Sequence, residues 1–352
     1  MKKAENPKSD TLKSTKMANQ KIEGPQIEGL YTAMITPFDA QDKVDEKGLR
    51  MLIMRQLTAR VSGIMVLGTT GEAPTLENYE RDEIIKTAID EAQGKIPVMV
   101  GCGTYCTKTT IDHAKQAQKY GASSLLIVVP YYNRPTQEGI YEHFKAISSE
   151  VSIPICIYNI ASRTGKNLET DTLERLAQLP HIVSVKDSSG SLSQLTDVLE
   201  RIAFKKRFFS LLSGDDAVTF PLLALGGHGV ISVLSNLVPR AVKKLIDTAQ
   251  EDLVRARAIH YSLKPLVSAT FIETNPIPIK SMMQIAGLPS GKCRLPLTHL
   301  EPANEQKLQE LMKNCSIIWK ETPTSVKSQV AISFKKSETE KMSSLIATLE
   351  QN

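Results

Sequence analysis

The sequence predicts an α/β protein, a (β/α)8 TIM barrel with additional C-terminal helices. Three observations carry that prediction. Eight short apolar runs recur at roughly 20–35-residue intervals, the spacing of βα units. Each run is continuously apolar rather than alternating, as parallel strands covered on both faces require. Helical periodicity fills the gaps between runs, over a span of about 270 residues that suits a closed eight-fold barrel. A doubly wound open sheet would need shorter or more polar edge strands, and none of the runs has that character.

Taken in order, the chain opens with a polar leader, residues 1–28, carrying six lysines among Asn, Ser, Thr and Pro. It lacks the apolar core of a secretory signal, and Glu5, Asp10 and Glu23 argue against a transit peptide. A disordered leader is expected there. The predicted strands are Tyr31–Thr36, Ile64–Leu67, Val98–Val100, Leu125–Val129, Ile155–Tyr158, Ile182–Val185, Phe209–Leu212 and Val230–Val233. Leu49, Leu52, Ile53 and Leu57 share one helical face, as do Leu195, Val198, Leu199 and Ile202. Asp171 with Glu174 marks a helix start, and Gly121 after Tyr120 a helix end. The barrel is therefore expected over 29–235. Val242, Leu245 and Ile246, and a Pro-punctuated stretch from Pro265 to Pro296, place extra helices in 236–314. A Ser/Thr/Lys-rich appendage, 315–352, is expected to be loosely ordered, with a weak helical pattern at Met342, Leu345, Ile346 and Leu349.

Composition narrows the function. Hydrophobic residues make up 41% of the 352, too many for a disordered chain, yet no apolar run is long enough for a membrane-spanning helix. The net charge of +5 is mild and no basic stripe appears, so neither nucleic acid nor a membrane is expected as a partner. Five cysteines fit reduced thiols and a cytoplasmic location better than a disulfide framework. The six histidines lack metal-ligand spacing, so no metal is expected. No dinucleotide fingerprint or serine nucleophile elbow occurs, and no cofactor is expected.

In such barrels the reacting groups stand at the C-terminal ends of strands. Lys186 ends the apolar run Ile182-Val183-Ser184-Val185, at the mouth of a low-dielectric interior. Desolvation there favours a neutral amine able to attack a carbonyl carbon. A strand-end lysine reaching out to solvent is an equal reading from position alone. Tyr158 and Tyr132 can each donate and accept a proton, with the hydroxyl of Thr69 between them, although most tyrosines simply pack. Arg163 can clamp a carboxylate in a bidentate fork or form a surface ion pair. The turn Gly68-Thr69-Thr70-Gly71 can offer backbone N–H groups to an anion or be an ordinary βα turn.

Several motifs then occur together in one order: Gly68-Thr69-Thr70-Gly71-Glu72, Pro130-Tyr131-Tyr132-Asn133-Arg134-Pro135, Tyr158-Asn159, Ser162-Arg163-Thr164-Gly165, Ser213-Gly214-Asp215-Asp216, Gly227-His228-Gly229-Val230-Ile231-Ser232 and Asn275-Pro276-Ile277-Pro278-Ile279-Lys280. From about Gly29 to Pro296 the chain resembles the 4-hydroxy-tetrahydrodipicolinate synthase (dihydrodipicolinate synthase) family. The resemblance implies a metal-independent, class I aldolase-like condensation of pyruvate with L-aspartate-4-semialdehyde in the diaminopimelate route to lysine. It implies that Lys186 forms the Schiff base, that Tyr158 moves protons, and that Thr69 and Tyr132 complete the relay. Thr70, Gly214 and the backbone at Ile231 would hold pyruvate, and Arg163 would meet the semialdehyde carboxylate. Tyr132 would cross a tight dimer within a homotetramer. Two departures are visible: Ala161 stands where proline is usual, and Asp187-Ser188-Ser189 replaces Glu-Ala-Thr or Glu-Ala-Ser.

Feedback-sensitive relatives hold L-lysine with an asparagine and a glutamate after the third strand, the tyrosine corresponding to Tyr131 and often a histidine. Here Tyr105 and Thr109 occupy the first two places, and Asn78 and Arg81 the region of the histidine, so insensitivity to lysine is expected. The nearest rival is another pyruvate Schiff-base lyase, acting on N-acetylneuraminate or a 2-keto-3-deoxy-sugar acid. That group generally carries Gly-Ser-Thr-Gly-Glu at the second-strand turn. A silent barrel used as a scaffold is the remaining alternative, opposed by the intact Lys186, Tyr158, Thr69 and Tyr132.

Overall fold

Residues 27–205 and 209–321 are described here from a computed structural model. Eight parallel strands close into a barrel in chain order, with β8 returning to pair with β1. They are β1 (Gly29–Ala33), β2 (Gly63–Val66), β3 (Val98–Gly101), β4 (Ser124–Val128), β5 (Ile155–Asn159), β6 (Ile182–Asp187), β7 (Ser210–Ser213) and β8 (Gly229–Ser232). The helices are α1 (Glu46–Ala59), α2 (Asn78–Ala92), α3 (Thr107–Tyr120), α4 (Gln137–Ser148), α5 (Ala161–Thr164), α6 (Thr170–Leu176), α7 (Leu192–Val198), α8 (Thr219–Ala224), α9 (Pro239–Glu251), α10 (Leu253–Ala269), α11 (Ile277–Ile285), α12 (Pro302–Asn314) and α13 (Ser316–Glu321). The expected TIM barrel with extra C-terminal helices is the observed fold.

The continuous apolar character of the strands has a simple cause. Alternate residues face two different cores. Tyr31, Ala33, Met65, Met99, Leu126, Cys156, Tyr158, Leu212 and Ile231 fill the barrel interior. Their neighbours Leu30, Ile64, Val66, Val98, Val100, Leu125, Ile155, Ile157 and Leu211 pack outward against the helices. Neither face meets water, so neither needs polar residues.

Strand limits differ from expectation where local chemistry intervenes. The first strand stops at Ala33 instead of Thr36 because side chains take over its hydrogen bonding. Ile35 N–H donates to Asn236 Oδ1, and the Thr36 hydroxyl donates to Gly71 O. The second ends before Leu67, whose φ of 59° breaks the extended geometry. Helix limits follow their caps. Asp45 accepts from Gly48 N–H at the start of α1, and Gly121, at φ 99°, ends α3 as expected. Helix α6 starts at Thr170, one residue before the expected Asp171. Leu195, Val198, Leu199 and Ile202 are all buried, although the backbone widens from α7 into a π-type turn over Leu199–Ala203.

One irregularity positions the site. Ile155 pairs with Ile182, but Cys156 pairs with Ser184, leaving Val183 as an extra residue. Beyond it Tyr158 pairs with Lys186 and Asn159 with Asp187. A uniform register would place Val185 opposite Tyr158 and turn Lys186 to the other face. The bulge thus sends a lysine, not a valine, to the interior side of β6.

The C-terminal helices are tied to the barrel rim by charge. Lys280 on α11 is 2% exposed, and its Nζ donates to the fully buried Glu72 carboxylate at 2.7 Å and to the main-chain oxygens of Thr36 and Lys292. Burial pushes the Lys280 amine down, and Glu72 opposes that. Arg294 N–H donates to the other Glu72 oxygen, and its guanidinium makes paired bonds to Glu80, holding that carboxyl below its ordinary range. Stripping one partner from a buried pair costs about 3–5 kcal/mol, because the other charge stays behind.

The leader and most of the appendage lie outside the described residues. Where the appendage begins it is packed rather than loose: Ile318 is fully buried, and the Glu321 carboxylate accepts from the N–H groups of Arg240 and Ala241 at the start of α9. Among the described residues no helix is long and apolar enough to cross a membrane.

Candidate active site

Lys186 is 5% exposed and lies near the C-terminal end of β6. Its Nζ stands 4.1 Å from the centroid of the Tyr158 ring, on the neighbouring strand. Its other register partner is Leu212 on β7. Deeper in the barrel, Cys156 lies beside Ser184, and burial pushes its thiol up to about 11, so it stays protonated at neutral pH. The amine therefore projects among an aromatic ring, aliphatic carbon and neutral groups. Such surroundings favour an uncharged nucleophile over an ammonium.

Gly214 ends the β7 side of this arrangement. Its N–H donates to Asp187 O at 2.8 Å. A Cβ at 214 would stand 2.1 Å from Ser188 Oγ, 2.9 Å from Lys186 Cε and 3.1 Å from Lys186 Cγ. The missing side chain is what leaves Lys186 its extended path. Asp187, one of the departures noted in the sequence, is also satisfied: it accepts from Asn159 Nδ2 and from the N–H and hydroxyl of Ser189.

Beside Tyr158 opens a cavity of about 500 Å³ that Thr69, Arg163 and Asn275 also line. Thr69 belongs to a turn pegged from several sides. Glu72 N–H donates to Thr69 O, the Thr36 hydroxyl to Gly71 O, and the Glu72 carboxylate holds the charged network described above. Thr70 is buried and its hydroxyl accepts from Asn275 Nδ2 at 3.0 Å. Arg163, on the short helix α5, donates through Nη2 to Asn275 O at 3.0 Å. Ile231 is buried in the barrel interior, opposite Tyr31 in the β8–β1 register.

Of the residues singled out from sequence, the structure brings Lys186, Tyr158 and Gly214 together and sets Thr69 and Arg163 on the cavity that Tyr158 borders. Tyr132 stands apart. It is 90% exposed, in the loop after β4, with a φ of 69°. Nothing in the same chain folds it towards Thr69. Two residues escaped the sequence reading of roles: Asn275, which joins Thr70 to Arg163, and Glu72, which pegs the turn. Both sit inside motifs quoted above, but their partners lie more than two hundred residues away.

Among the described residues no cluster of His, Cys, Asp and Glu side chains could hold a metal ion. The fold and site agree with a single set of relatives. The model of the dihydrodipicolinate synthetase family matches residues 26–315. The 4-hydroxy-tetrahydrodipicolinate synthase of Protochlamydia amoebophila is 50% identical over 294 residues, 83% of this chain and 98% of that one. The crystal structure of the Aquifex aeolicus dihydrodipicolinate synthase superposes with a TM-score of 0.80 at 44% identity, covering 83% of this chain and 99% of that one. A chloride-inhibited Acinetobacter baumannii dihydrodipicolinate synthase complexed with pyruvate superposes with a TM-score of 0.81 at 36% identity, covering 83% and 100%. On this fold, these motifs and these relatives, the chain belongs to the dihydrodipicolinate synthetase family.

Proposed function

We propose that the protein is a 4-hydroxy-tetrahydrodipicolinate synthase that joins pyruvate to L-aspartate-4-semialdehyde through a Schiff base at Lys186. The observation that carries this reading is the pairing of the buried Lys186 amine with Tyr158 at the end of adjacent strands. The amine adds to the ketone carbon of pyruvate and water leaves, giving an imine. The protonated imine withdraws electrons, so the pyruvate methyl group loses a proton and becomes an enamine. The enamine carbon attacks the aldehyde carbon, and the aldehyde oxygen takes up a proton to become a hydroxyl. The amino group of the second substrate then displaces Lys186 from the imine, which closes the ring and frees the enzyme.

Tyr158 is the proton carrier in this scheme, with Thr69 and Tyr132 as its relay. Thr70, Gly214 and the backbone at Ile231 hold pyruvate, and Arg163 meets the carboxylate of the semialdehyde. The exposure of Tyr132 in a single chain supports a site completed by a second subunit, within a homotetramer of tight dimers. Barrel over 29–235, helical region over 236–314, and action in the cytoplasm complete the proposal. The test is an assay offering pyruvate with either aspartate semialdehyde or a sugar aldehyde. Condensation with the semialdehyde is expected. Preference for the sugar aldehyde would move the protein to the sugar-acid lyases.

A further inference from the structure

The cavity beside Tyr158 contains one acceptor that the scheme above leaves idle. Asn275, just before α11, is 5% exposed and lines the cavity together with Thr69, Tyr158 and Arg163. Its Nδ2 donates to the Thr70 hydroxyl, and its main-chain oxygen accepts from Arg163. Its Oδ1 is buried and has no hydrogen-bond partner among the described residues. A buried amide oxygen without a donor is costly and uncommon, and where one faces a binding cavity the missing donor belongs to the ligand.

The chemistry of the second substrate identifies that donor. This step rests on the reading given under Proposed function. L-Aspartate-4-semialdehyde carries its carboxylate and its ammonium on one carbon. Arg163 offers the carboxylate a cation, and Arg163 is bonded to Asn275 itself, so a carboxylate held there brings the ammonium to the Asn275 side chain. Arginine cannot accept from the ammonium, and the Thr70 hydroxyl is already engaged by Asn275. We propose that Asn275 determines specificity for the amino aldehyde, its Oδ1 accepting from the substrate ammonium while its Nδ2 and main-chain oxygen fix Thr70 and Arg163.

The test compares L-aspartate-4-semialdehyde with succinic semialdehyde, which keeps the aldehyde and carboxylate but lacks the amine. Asn275→Ala is expected to raise KM for the amino aldehyde roughly 10-fold or more, the scale of a lost hydrogen bond to a charged group. The inhibition constant of succinic semialdehyde should shift far less in the same variant. Asn275→Asp keeps an acceptor and should restore the discrimination. Parallel loss of both aldehydes in Asn275→Ala, or an Asn275→Asp enzyme that discriminates no better than Asn275→Ala, would overturn the proposal and leave Asn275 a purely structural brace. Borohydride trapping of pyruvate on Lys186 in each variant reports an intact site. Its absence in the unaltered enzyme would count against the parent reading, not against Asn275 alone.

Discussion

Tyr158 and Lys186 are register partners on β5 and β6, and the lysine amine lies 4.1 Å from the centre of the tyrosine ring. That opposition exists because Val183 is an extra residue in β6. The same strand without the bulge would carry the amine to the helix-packed face. A one-residue irregularity therefore decides whether this barrel has a nucleophile in its mouth.

Gly214→Ala tests how tightly that amine is placed. The added methyl would meet Ser188 Oγ and Lys186 Cε well inside van der Waals distance, and both must shift. The φ of Gly214 imposes no left-handed strain, so the fold should persist. Turnover is expected to fall roughly 10-fold or more, the scale of a displaced reacting group, with an unchanged melting temperature. Unchanged turnover would mean that Lys186 has room to spare.

Tyr132→Phe removes one hydroxyl from a side chain that is 90% exposed in the single chain. Stability of the subunit should therefore be unaffected. If a partner subunit brings this hydroxyl to the relay, kcat should fall roughly 10²-fold or more, and the variant should still trap pyruvate. Near-normal kcat would remove Tyr132 from the mechanism.

The acid side of the stability profile should carry the signature of His143. Its Nδ1 pairs with the Thr107 hydroxyl at 2.9 Å, its Nε2 is buried without a partner, and burial pushes the ring down to about 4. An unfolded histidine titrates near ~6.5. Above that pH both states are neutral. As the pH falls from there towards 4, the unfolded chain gains a proton that the native ring refuses, and stability declines by up to about 3 kcal/mol. Denaturant titrations at pH 7 and pH 5 should show a smaller decline for His143→Gln than for the unaltered protein. Equal declines would show that His143 is free to protonate in the fold.

L-Lysine should not inhibit at sub-millimolar concentration. Thr109, exposed, stands where feedback-sensitive relatives place a carboxylate, and the Tyr105 ring packs edge-on against Tyr131 at 5.6 Å. The two nearby acids are committed elsewhere. Glu72 is fully buried against Lys280, and Glu77 caps α2. A lysine ammonium leaving water without a charged acceptor forfeits about 2–5 kcal/mol. Initial rates measured against rising L-lysine check this, and half-maximal inhibition below 1 mM, flagged here as an order-of-magnitude threshold set by that loss, would contradict it.

The barrel was legible in the sequence because both faces of every strand are buried, which turns eight strands into eight apolar runs. Lys186 was legible as a strand end, but its direction was not. Ile182-Val183-Ser184-Val185 contains no glycine or proline to announce a bulge, and only pairing with β5 reveals it. Long-range polar partners were equally silent. Asn275 to Thr70 and Lys280 to Glu72 join opposite ends of the chain, and hydrophobic periodicity carries no trace of such contacts. The appendage misled for a different reason: a Ser/Thr/Lys-rich composition says nothing about one glutamate, Glu321, that caps a helix eighty residues earlier.

The most direct measurement of the central claim is reduction with borohydride in the presence of pyruvate, followed by intact mass and peptide mapping. One pyruvate-derived group per chain, carried on Lys186 and absent from Lys186→Ala, is the expected result. Modification of another lysine, or none in folded and active protein, would contradict a mechanism built on the amine that lies against Tyr158.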